Sequence, residues 1–135
     1  MIVSRDAPAL GGVYKLVSIE QDGKRRPVRK LSQDKATYPD EKQVYRRRGE
    51  DGQFCGDILA LAGETIPEAE PLLEPVLSAG RRLGPAPPLS EARERFQKQR
   101  LALPAGVRRI HSPDPYPLEI SPGLQAATNA FRPVQ

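Results

Sequence analysis

The sequence has one cysteine, one histidine and no tryptophan in 135 residues. A lone cysteine, Cys55, excludes an intrachain disulfide and a thiolate metal cage, which makes the cytoplasm the expected compartment. A lone histidine, His111, excludes a histidine-rich metal site. It lies in His111-Ser112-Pro113-Asp114-Pro115, where a surface or packing role is the plainer reading. No stretch approaches the roughly 20 apolar residues of a membrane span. Residues 1–9 include Arg5, Asp6 and Pro8 and lack the apolar centre of a secretory signal. There is no glycine-rich phosphate loop and no Gly-x-Ser-x-Gly nucleophile turn. The aromatics are three Phe and four Tyr, which is little from which to build a core. From the residues alone, no catalytic group, bound cofactor or metal ligand is assigned.

What is present is charge, proline and glycine. Lys and Arg number 21 against 17 Asp and Glu, a formal excess of +4. That excess favours phosphate-bearing partners without indicating nucleic acid. The densest basic run, Arg46-Arg47-Arg48, reads as a strand, so Arg47 should face away from its neighbours. A solvated edge strand is the plainer interpretation, since a nucleic-acid patch wants its charges on one face with interleaved aromatics. Cys55, beside Phe54 in a predicted strand, reads as a buried, inert thiol.

The pattern predicts an α+β chain with three stretches. Residues 11–62 read as a small antiparallel sheet. Val13, Tyr14, Leu16, Val17 and Ile19 form a first β-rich run, and Asp22-Gly23 supplies a turn. Further strands are expected over Pro27 to Leu31, Lys42 to Arg48 and Gln53 to Leu61, with Asp51-Gly52 as a second turn. Residues 63–88 form a Pro-rich connector with an apolar seam at Leu72, Leu73, Val76 and Leu77. Residues 89–135 read as a helical tail. A helix over 89–103 carries Leu89, Ala92, Phe96 and Leu103 on one face, with Ser90 as its cap and Pro104 and Gly106 as its stop. A second helix follows Ser121-Pro122, serine capping and proline at the first helical position, and presents Leu124, Ala127 and Phe131. Such a set closes a core poorly, so its apolar faces should need a further domain.

The stretch Asp6-Ala7-Pro8-Ala9-Leu10-Gly11-Gly12-Val13-Tyr14-Lys15-Leu16-Val17 resembles a segment of nicotinate phosphoribosyltransferases. Further blocks follow in that family's order. They are Pro27 to Ser32, Asp34-Lys35, Tyr38-Pro39, Lys42 to Arg46, Glu70 to Leu73, Pro88 to Ser90, Leu103 to Ile110 and Pro113 to Pro117. The resemblance runs over nearly the whole chain. It implies one portion, 1–135, from the C-terminal side of an enzyme with an irregular α/β barrel and a mixed domain. The family joins nicotinate to 5-phosphoribosyl 1-diphosphate, with ATP hydrolysis, to give nicotinate mononucleotide for NAD synthesis. ATP and Mg2+ are implied for the whole enzyme, as are a homodimer and an N-terminal barrel that the chain is expected to lack. Lys15, Lys30 and, more weakly, Lys35 stand where the resemblance implies contact with substrate phosphate. The rival readings are a non-catalytic accessory or split-gene module, a basic nucleic-acid-binding protein, or a remnant without function. If the strands need an absent neighbour, the solitary chain should fold marginally. A cooperative thermal transition above about 60 °C, beyond the usual mesophile cluster, would speak against that expectation.

Overall fold

The computed structural model describes residues 14–32 and 36–132. They fall into two units, 1–40 with 131–135, and 41–130.

In the first unit, β1 (Ser18–Gln21) and β2 (Lys24–Pro27) form an antiparallel hairpin with Ile19 opposite Arg26. Asp22 and Gly23 both take positive φ, 53° and 68°, the geometry of a two-residue turn whose twist matches that of the strands. This turn moves the second strand from the expected Pro27–Leu31 to Lys24–Pro27. Pairing begins straight after a two-residue turn, so the exposed Lys24-Arg25-Arg26 run is drawn into the ladder. The Val17 carbonyl accepts from both Val28 N and Asp40 N at 2.8 Å. The Lys30 amide donates to Thr37 Oγ1 at 2.9 Å while its carbonyl accepts from Thr37 N at 3.0 Å. The Arg29 guanidinium lies 5.8 Å from the Phe131 ring centre.

The second unit holds β3 (Lys42–Arg48), β4 (Phe54–Leu61), β5 (Ala69–Pro71), β6 (Leu77–Ser78), β7 (Arg81–Arg82), α1 (Leu89–Ala102), β8 (Leu118–Ile120) and α2 (Pro122–Ala130). Four strands form one sheet in the order β5-β3-β4-β8, and β6-β7 is a separate hairpin. The expectation of a purely antiparallel sheet is corrected here, because β8 runs parallel to β4. Three residues are too short to show an alternating pattern. They are seated by backbone bonds, Asp57 N to Pro117 O at 3.0 Å and Ser121 N to Leu59 O at 2.9 Å. β5 arises within the expected connector, and the hairpin β1-β2 belongs to a different sheet from β3 and β4.

Strand β4 alternates, with Phe54, Gly56, Ile58 and Ala60 buried. Tyr45, Ile58 and Ala60 make a small core, with Ile66 and Ala69 against it. A bulge interrupts the pairing with β3. Arg47 pairs with Gly56 and Arg48 with Phe54, so Cys55 is the extra residue. A bulged residue leaves the pleat, and Cys55 is exposed rather than buried as expected.

Helix α2 is capped as the sequence predicts, with Leu124 N donating to Ser121 Oγ at 3.1 Å and Pro122 opening the helix. Leu124 is fully buried. Helix α1 starts at Leu89 as expected, but its cap differs. Pro88 is its cap residue and its carbonyl accepts from Ala92 N at 3.1 Å, so Ser90 lies inside the first turn and does not cap.

Glu64 joins these parts. Its carboxylate accepts from Leu61 N at 2.8 Å and Ser121 Oγ at 2.7 Å, while its carbonyl accepts from Tyr45 Oη at 2.5 Å. Partial burial pushes this carboxyl up, but the Ser121 hydroxyl and the amides of Leu61, Gly123 and Leu124 outweigh burial and hold it below the ordinary 4.5. A negative group at a helix N-terminus is favoured by the helix dipole. The carboxylate sits so close to Gly123 that a Cβ there would clash with Glu64 Oε1.

Two outcomes follow for Glu64. Its folded pKa is depressed, so its stabilisation is full above the unfolded value and fades as pH falls through the folded one. Urea midpoints should therefore drop below about pH 4.5, and Glu64→Gln should flatten that slope. Gly123→Ala should cost about 1–2 kcal/mol by displacing the carboxylate from its donors, and less in a Glu64→Ala background, as a double-mutant cycle would read.

Candidate functional site

The end of the first unit's hairpin presents Lys15 and Lys30 to one open hollow of about 400 Å³, which Tyr14, Leu16, Val28 and Arg29 also line. The hairpin causes this: β1 and β2 run antiparallel, so the residues before β1 and after β2 come side by side. Lys15 and Lys30 are exposed, and among the described residues no carboxylate lines the hollow. The ammonium groups of Lys15 and Lys30, with Arg29 beside Lys30, bring positive charge suited to a phosphate group to one place. Arg29 is a member that the sequence did not single out. Its place next to Lys30 was the only signal. Lys35, the third residue expected here, lies outside the described residues.

The basic run of β3 is used within the second unit. Arg46 donates Nε and Nη2 to the two oxygens of Asp57, both at 2.8 Å. Arg48 pairs with Glu70 at 3.3 Å. Both guanidiniums stack on Phe54, their centres 4.6 and 4.5 Å from its ring centre. Arg47 turns to the other face and meets Glu119 at 3.1 Å. The Tyr116 hydroxyl donates to Asp57 at 3.1 Å. Its pKa is raised, first by burial and then by the Asp57 charge beside it. Arg46 in turn is held protonated, chiefly by its bonds to Asp57, against the opposing effect of burial. Arginines matched one for one with carboxylates and split between two faces do not form a one-sided basic surface. Among the described residues no group of three or more His, Cys, Asp or Glu could hold a metal ion, and no helix is long and apolar enough to cross a membrane.

Residues 65–128 match the family described as the nicotinate phosphoribosyltransferase C-terminal domain. The nicotinate phosphoribosyltransferase pncB2 of Mycobacterium tuberculosis is 41% identical over 123 residues, covering 90% of this chain and 25% of that protein. The human nicotinate phosphoribosyltransferase is 35% identical over 148 residues, covering 92% and 27%. The crystal structure of human nicotinic acid phosphoribosyltransferase superposes with a TM-score of 0.73 at 32% identity, covering 90% of this chain and 27% of that one. The chain is homologous to the C-terminal portion of the nicotinate phosphoribosyltransferases. It spans about a quarter of the length of these relatives.

The Arg46–Asp57–Tyr116 cluster is structural. Asp57→Ala should cost about 2 kcal/mol or more. It would leave Arg46, whose side chain is 19% exposed, without its bidentate partner, and that residual exposure keeps the cost toward the low end for a broken buried pair. In an ultraviolet titration one phenol should ionise above the ordinary value of 10. Asp57→Asn should move it down without abolishing the share due to burial.

Proposed function

We propose that this chain is the C-terminal part of a nicotinate phosphoribosyltransferase. In that reading the complete enzyme forms nicotinate mononucleotide from nicotinate and 5-phosphoribosyl 1-diphosphate, with ATP hydrolysis, as a homodimer. The observation that supports it best is the joint likeness, 41% sequence identity to the mycobacterial enzyme and a TM-score of 0.73 against the human one. The part played by this chain is at the phosphate end of the reaction. Lys15 and Lys30, with Lys35 beside them in sequence, place ammonium groups on a diphosphate or ribose phosphate. Charge fixed there before the reaction stabilises the departing diphosphate without reorganisation. Positioning the two substrates supplies the rest of the acceleration. In this reading the metal, the nucleotide and the nicotinate pocket fall to the three-quarters of the relatives' length that this chain does not span, and the chain alone is inactive.

The test is a chimera in which this chain replaces the matched quarter of the mycobacterial enzyme. It should form nicotinate mononucleotide, whereas the pure 135-residue chain should form none. Lys15→Ala and Lys30→Ala should each raise KM for 5-phosphoribosyl 1-diphosphate by about tenfold, in line with a lost charged contact of about 1.5 kcal/mol, and leave KM for nicotinate unchanged. A folded but inactive chimera, or activity from the pure chain, would overturn the reading.

A further inference from the structure

Helix α1 has no buried residue along its 14 positions. Neither it nor the β6-β7 hairpin makes an extensive contact with another helix or strand among the described residues. An isolated helix of this length is marginal in water. On a helical projection Leu89, Ala92 and Phe96 fall within one narrow stripe. Leu89 is 75% exposed and Phe96 60%. Arg93, Arg95 and Arg100 border that stripe. Beside it, Val76, Leu77 and Leu83 from the hairpin and its flanks are 57–70% exposed, and Arg81 and Arg82 add two more cations. Residues 77–102 carry six Lys or Arg against Glu91 and Glu94. The segment is thus an apolar strip with a basic rim.

From this pattern we infer that α1 and the β6-β7 hairpin form a docking arm whose occupant is the remainder of a nicotinate phosphoribosyltransferase, through an apolar trough rimmed by carboxylates. The inference rests on the proposed function, and it identifies which surface of the chain meets the rest. Two observations favour this occupant over a second copy of the chain. The relatives extend over about three-quarters of their length beyond what this chain spans. The segment carries six cations against two carboxylates, so two copies facing each other across it would repel. Aromatic and aliphatic anchors at the centre of such a contact carry most of its free energy, and the charged rim sets rate and partner choice.

The experiment co-expresses the full 135-residue chain with a tagged complementary portion of the mycobacterial enzyme and follows three readouts: capture, amide exchange across 89–102, and nicotinate mononucleotide formation. Capture should slow exchange in α1. Leu89→Ser and Phe96→Ser should each weaken capture by tenfold or more, and Arg93→Glu should slow association and steepen no other defect. Circular dichroism of the variants, whose altered positions are exposed, should match the parent. Capture that survives Leu89→Ser with Phe96→Ser, or that leaves α1 exchange unchanged, overturns the docking arm while the proposed function stands. Capture with a protected α1 but no product overturns the proposed function and leaves the arm. Absence of capture, or self-association of the chain through α1 in its place, overturns the arm.

Discussion

The second unit depends on one carboxylate. Glu64 satisfies the Leu61 amide where β4 ends, receives the Ser121 hydroxyl where β8 hands over to α2, and faces the first turn of that helix. Through its carbonyl it also takes the Tyr45 hydroxyl from β3. Four elements are therefore referred to a single residue in a turn. This explains why a three-residue parallel strand can hold its register. β8 contributes few ladder bonds of its own, and the capped helix behind it, with Leu124 fully buried, fixes its position.

Polar closure of this kind stands in for a large apolar core. The fully buried side chains are few, and each contributes on the order of 1.5–3 kcal/mol. The opposite face of β3 and β4 is closed in the same way. Phe54 supplies the aromatic surface, Arg46 and Arg48 cover it with their guanidinium planes, and Asp57 and Glu70 neutralise the arginines. A lysine could not do this, because only a planar guanidinium can stack on a ring and bind a carboxylate through two nitrogens at once.

Legibility from the sequence followed the length and regularity of each element. β3 and β4 run for seven and eight residues on either side of the Asp51-Gly52 turn, and their span was plain. Helix α2 announced itself through Ser121-Pro122, a local signal with a local cause. The cap of α1 was misread because Ser90 is a good capping type while Pro88, which carries no side-chain donor or acceptor, takes the position by backbone geometry alone. The parallel strand β8 and the sheet membership of β5 depend on partners distant in sequence, which no local window encodes. The bulge at Cys55 depends on the register that β3 and β4 take across their turn, which the residue types there do not specify. Of the phosphate-binding candidates, Lys15 and Lys30 were drawn from a family resemblance rather than from any pattern in the chain. The hairpin gives that pairing a geometric basis, and Arg29 enters only once the chain is folded.

The two units differ in what their exposed groups ask for. The hollow of the first unit is small, open and cationic, and it suits a ligand that brings several negative oxygens into a short span. The arm of the second unit is long and only weakly amphipathic. A helix that is polar over most of its circumference is stable chiefly as a bridge between masses or as part of a larger contact. Its i to i+4 pairs, Glu91 with Arg95 and Glu94 with Lys98, add only about 0.2–0.5 kcal/mol each, too little to hold 14 residues helical without a partner. Among the described residues of the second unit, the small core closed by Glu64 and Phe54 leaves no interior in which to bury Leu89 and Phe96. Docking of the proposed arm would give them cover.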